Sequence, residues 1–193
     1  MVVTSTDNIH DLLLEHFRLS GTYTIDNGVV DVTGDVTFSN NNLTQMPVNF
    51  GTVYGDFIIR NSGVTTLVGS PKIVTQRFTA DNCSNLTTCL GAPEHVLGSF
   101  TIYKCPLENL QGFPTECAYA AVEYDEYLPV LRLLQVKGNV DFYVSDYDTN
   151  KEQASEDVMN ILQDARWKGK GKQGMLNCAL ELKKHGYAGN ARW

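Results

Sequence analysis

The stretch Val53-Tyr54-Gly55-Asp56-Phe57-Ile58-Ile59-Arg60 decides the fold, because its pattern recurs. Val32-Thr33-Gly34-Asp35-Val36 precedes it. Val74-Thr75-Gln76-Arg77-Phe78 and Val96-Leu97-Gly98-Ser99-Phe100 follow it. The anchors Val36, Phe57, Phe78 and Phe100 lie 21, 21 and 22 residues apart. Two residues after each anchor come Phe38, Ile59, Ala80 and Ile102, and five after it Asn41, Ser62, Cys83 and Cys105. Then follow Leu43, Val64, Leu86 and Leu107, and after them Met46, Leu67, Cys89 and Leu110. Gly69 with Pro71, Gly91 with Pro93, and Gly112 with Pro114 close three of the units.

A fixed period of this length is the signature of a solenoid, in which each winding buries its apolar side only against its neighbours. Apolar and polar residues alternating around the anchor give a short strand with one buried face. The Asn/Ser/Cys column marks the turn out of the strand, where a small group can bond the backbone of the next winding. The later Leu column packs beneath, and Gly-x-Pro bends the chain back. Two weaker units follow. Ala118-x-Ala120-x-Val122-x-Tyr124 places Val122 22 residues after Phe100, and Val136-x-Gly138-x-Val140-x-Phe142 follows after 18 more. Between them Tyr127–Leu134, with Pro129 inside an apolar stretch, predicts a distorted fifth winding.

The pattern resembles the leucine-rich repeat core, L-x-x-L-x-L-x-x-N/C-x-L. Tyr54-x-x-Phe57-x-Ile59-x-x-Ser62-x-Val64 and Leu97-x-x-Phe100-x-Ile102-x-x-Cys105-x-Leu107 fit it, and one extra residue between Cys83 and Leu86 departs from it. With its Val-x-Gly-Asp-Phe units and a basic tail ending Gly189-Asn190-Ala191-Arg192, the chain is similar to phage-encoded leucine-rich-repeat-like proteins. That resemblance implies a solenoid fold and a viral origin, and supplies no activity.

The ends read differently. Ile9, Leu12, Leu13 and Phe17 share one face of a helix over 7–19, with Asp7 as its N-cap. Asn27-Gly28 between Tyr23-x-Ile25 and Val30-x-Val32 predicts a hairpin. Beyond residue 147, Thr149-x-x-Glu152 suggests a capping box for a helix over 151–167. A second helix over 172–185 would end at Gly186. The expected fold class is therefore α+β: a leucine-rich-repeat-like solenoid of about five to six short parallel strands. A helix and hairpin (1–30) cap one end of the solenoid (31–146), and two helices with a basic tail (147–193) cap the other.

Length and composition support one ordinary domain. The chain has 193 residues, 42% hydrophobic and 19% charged. No apolar run approaches the ~18 residues of a membrane span. Five cysteines and no basic-then-apolar leader predict reduced thiols in a cytoplasmic setting. The net charge of −7 divides unevenly: residues 1–164 hold 8 Lys/Arg and 21 Asp/Glu, while residues 165–193 hold 7 and 1. The acidic body should repel nucleic acid, leaving only the basic tail able to attract it.

No catalytic motif emerges. The four histidines are scattered and no Cys-x2-Cys spacing exists, so neither a metal nor a cofactor is expected. Gly169-Lys170-Gly171-Lys172 lacks the spacing and preceding strand of a phosphate loop. The acidic runs Glu123, Asp125, Glu126 and Asp141, Asp146, Asp148 lack calcium-loop spacing and read as a solvated face. What remains is the outer sheet face. With Phe57 and Ile59 inward, Ile58, Arg60, Arg77, Asp81, Tyr103, Glu123, Asp125, Asp141 and Tyr143 should point outward. Lys168, Lys170 and Lys172 offer a second, electrostatic contact. These residues predict a non-enzymatic protein-binding module, with homo-oligomers open through exposed sheet edges; the resemblance implies that it is a phage factor, which would act on a host enzyme or defence protein. The alternatives are a β-solenoid enzyme using surface carboxylates on a glycan or nucleotide, and an acidic mimic of nucleic acid.

Overall fold

The computed structural model describes residues 6–145 and 148–193. It is a β-solenoid of about five windings with one helix before it and two after it. Each regular winding carries two strands where the sequence pattern suggested one. The first row holds β3 (Val29–Val32), β5 (Asn49–Val53), β7 (Ile73–Val74) and the start of β9 (His95–Tyr103). The second holds β4 (Val36–Phe38), β6 (Phe57–Arg60), β8 (Phe78–Asp81) and the end of β9. The Val column and the Phe column are thus separate strands, split by the x-Gly-Asp bend. From β9 onward the chain stays extended through that bend, and β10 (Glu116–Glu123) and β11 (Lys137–Tyr143) each serve both rows. All eleven strands consequently form one hydrogen-bonded sheet folded around the core.

The core is a pile of phenylalanines. Phe57 and Phe78 stack with ring centroids 5.7 Å apart, and Phe78 and Phe100 at 5.0 Å. Phe17, Phe38, Phe50 and Phe113 extend the pile edge-on or tilted at 4.9–5.2 Å. Parallel register sets identical residues one strand apart, so rings of equal shape pack face to face. Val32, Val53 and Val74 are fully buried beside them, and Leu67, Leu86 and Cys89 fill the base.

Side chains also bond winding to winding. Ser20 Oγ accepts from Asp35 N, Asp35 Oδ1 from Asp56 N, and Asp56 Oδ1 from Arg77 N, at 2.8–2.9 Å. This ladder satisfies the amides that the bend removes from the sheet. Asn61 and Asn82 form a second ladder at the far end of the strand. Both turn with positive φ (48° and 53°), and Asn82 Nδ2 donates to Asn61 Oδ1 at 2.6 Å. Asparagine tolerates that left-handed conformation better than most residues.

The ends confirm the helices and the hairpin, with shifted limits. Helix α1 spans Thr6–His16, with Ile9 and Leu13 buried. The Asp7 cap lies outside the described side chains. Residues expected to continue the helix instead form β1 (Phe17–Leu19), antiparallel to β4. The hairpin pairs β2 (Tyr23–Asp26) with β3 through Asn27 and Gly28, both at positive φ. Helix α2 spans Thr149–Gln163, and its cap is Asp148, which accepts from Asn150 N and Lys151 N, not Thr149. Helix α3 spans Gly171–Lys184. It ends at Gly186 as expected, with Tyr187 N donating to Leu182 O and Gly186 N to Lys183 O.

The fifth winding departs most. Ala120, not Val122, pairs with Phe100, and Val140 then pairs with Ala120. A bulge between Cys117 and Tyr119 absorbs the difference. After Tyr124 the chain loops and forms a 3-10 turn, Leu131–Gln135, before β11. The C-terminal segment closes this loop. Asn190 is completely buried. Its Nδ2 donates to Asp125 O and Leu128 O at 2.9 Å, its Oδ1 accepts from Tyr124 Oη, and its carbonyl accepts from Val130 N. Gly189 lies so close that a Cβ there would strike Glu126 O.

Candidate interaction face

The outer surface of the second strand row carries the candidate residues in two files. One runs Thr37, Ile58, Thr79, Thr101, Ala121, Asp141. The next runs Arg60, Asp81, Tyr103, Glu123, Tyr143. The structure therefore brings Ile58, Arg60, Asp81, Tyr103, Glu123, Asp141 and Tyr143 onto one face, as expected. Arg77 flanks them, its guanidinium bonded to both oxygens of Asp56 and still 66% exposed. That contact holds the Asp56 carboxyl below its usual range.

Asp125 is not on the face. The two-residue shift of the fifth winding places it past the strand, where Oδ1 accepts from Tyr127 N at 2.7 Å. Its expected place is taken by Glu123, and Tyr119 joins the file of Arg77 and Ser99. The sequence reading missed Tyr119; aligning Ala120 with Phe100 would have found it. Asp146 lies outside the described residues. Lys168 and Lys170 are exposed in the connector between α2 and α3, with Lys168 beside the start of β11, and Lys172 is exposed in the first turn of α3.

At the end of the face nearest α2 the surface is aromatic and acidic. The rings of Tyr103 and Tyr143 meet edge to face at 4.9 Å, reaching across Glu123. Burial raises the Tyr103 hydroxyl above its ordinary value, and burial together with the Asp141 charge raises that of Tyr119. The Tyr103 and Tyr119 hydroxyls stay neutral donors at physiological pH. A groove of about 500 Å³ continues from Asp141 and Tyr143 onto α2, where Glu152 and Glu156 line it.

The other polar groups have structural work. Glu123 Oε2 accepts from Lys104 N at 2.8 Å, and Oε1 accepts from Ser145 Oγ. Asp141 Oδ1 accepts from Phe142 N at 2.9 Å. All five cysteines are free and buried, and burial pushes the thiols of Cys89 and Cys178 up to about 12 and Cys117 to about 11. Among the described residues no three His, Cys, Asp or Glu side chains come together as metal ligands, and no helix is long and apolar enough to cross a membrane. Searches against protein families, curated proteins and solved structures give no significant match.

Proposed function

We propose that this chain is a non-catalytic protein-binding module of the leucine-rich-repeat-like kind encoded by phages, and that it engages a host enzyme or defence protein. The observation that carries this reading is the surface patch of half-buried Tyr103 and exposed Tyr119 and Tyr143 set among Asp81 and Asp141. Tyrosine supplies large contact area with a polar tip, and such residues dominate interface energies. The neighbouring acidic groove and the acidic body favour a partner with a basic surface, which they would attract at long range. The same chemistry underlies the reading as a nucleic-acid mimic, in which the partner is a DNA-binding protein.

Retention of host proteins by the immobilised chain tests this. A defined protein should be held by the wild type, be released by added salt, and be lost from a Tyr103→Ala/Tyr143→Ala double variant. Identical capture by both would overturn the reading. One observation favours the competing enzymatic reading: Asp141, Glu152 and Glu156 share a groove. It requires turnover of a glycan or nucleotide that Asp141→Asn abolishes.

A further inference from the structure

We propose that Cys83 and Cys105, on adjacent windings, are a modification site at which a hydroperoxide forms a disulfide between the windings. The register sets them side by side. Asp81 pairs with Tyr103, and one residue on Asn82 N donates to Tyr103 O at 3.0 Å. Asn82 and Lys104 then take the same left-handed turn, φ 53° and 50°. The two chains leave the sheet along parallel paths, and the cysteines are the next residues on each. Both thiols point the same way: Cys83 Sγ donates to Asp81 O at 3.5 Å, and Cys105 Sγ to Tyr103 O at 3.1 Å. Equivalent residues on neighbouring strands lie about 4.8 Å apart, inside the ~4.4–6.8 Å Cα range a disulfide needs.

Access distinguishes this pair. Cys105 lines an open groove of about 420 Å³ with Ser84, Lys104, Leu107 and Lys151, while Cys83 beneath it is sealed. A small hydroperoxide entering this groove meets Cys105 before Cys83. Once deprotonated, Cys105 Sγ attacks the terminal peroxide oxygen and the O–O bond breaks. The sulfur becomes a sulfenic acid, and the departing alkoxide, or hydroxide where the peroxide is hydrogen peroxide, takes up the thiol proton as an alcohol or water. Cys83 Sγ then attacks the sulfenic sulfur, the S–S bond forms, and the sulfenic oxygen leaves with the Cys83 proton as water. Two electrons from the two sulfurs reduce one peroxide, so nothing else is consumed.

The test is hydrogen peroxide added to the folded wild-type chain, followed by alkylation and intact mass. The expected result is a loss of two hydrogens, a fall from five free thiols to three, a mapped Cys83–Cys105 link, and reversal by dithiothreitol. Cys83→Ser and Cys105→Ser should each abolish the link, and Cys117→Ser should leave it intact. Serine already stands in this column at Ser62, buried with its Oγ bonded to Asn40 O, so those variants suit the turn. Five unmodified thiols after peroxide treatment, a link to any other cysteine, or irreversible sulfinic acid on Cys105 alone would each overturn the proposal.

Discussion

Between Val53 and Pro114 the chain closes each winding with the same parts, whereas between Tyr124 and Val136 it takes them from residues 65 positions away. The regular windings use a stacked ring, a carboxylate or asparagine rung, and a Gly-x-Pro bend, all within one repeat of where they act. The fifth has Ala120 where a ring would stand, and no rung or bend of the usual kind. Asn190 supplies a partner for the Leu128 carbonyl of its loop and a second one for the Asp125 carbonyl, which also accepts from Leu128 N. Periodicity can be replaced by one well-placed polar side chain, provided every bond it makes is satisfied.

The largest effect should come from the periodic region. Phe78 sits between two stacked rings and is fully buried. Phe78→Ala should cost about 3–5 kcal/mol in urea unfolding, through lost transfer energy and the cavity left behind. Asn190→Ala should cost about 2–3 kcal/mol, because the Leu128 carbonyl and the Tyr124 hydroxyl lose their partner. The two variants should differ in reach. Hydrogen exchange should accelerate across 124–136 in the asparagine variant while amides of β6 and β8 stay protected; uniform acceleration would mean that the regions are not separable.

Gly91→Ala is smaller, at about 1–2 kcal/mol by the same measurement. Gly91 has φ +86°, and a Cβ there would press on the Val68 backbone of the winding before it. The smallest effect tests a single rung. Asp56→Asn keeps an oxygen for Arg77 N but removes the charge. The folded carboxyl is held below its unfolded value, so its contribution is complete above the ordinary carboxylate range and disappears as pH falls through the depressed value. Wild type should exceed the variant by under ~1 kcal/mol at neutral pH, since Arg77 is largely exposed, and the gap should close in acid.

Much of this was readable in advance. The anchors Phe57, Phe78 and Phe100 are bulky, regularly spaced and flanked by polar residues, so period and burial coincide. Asn27-Gly28 and the helices at both ends likewise carry local chemistry that neighbours do not override. The second strand row was not readable, because two-residue strands such as Ile73–Val74 are too short to show an alternation. The candidate face was legible for the first four windings and misaligned in the fifth, where Phe gives way to Ala and the strongest marker vanishes. Nothing near Asn190 in sequence indicates what it touches. Its role is set by contacts across more than sixty residues, which no periodic pattern records.

The docking of Asn190 has a consequence for how the molecule is made. A ribosome delivers the loop around Asp125 and Leu128 well before it delivers the residue that closes it. During that interval the nascent protein carries finished early windings and an unsealed late one. A chain broken off before residue 190 would remain in that state, and its open end would be the first place a cellular protease could begin.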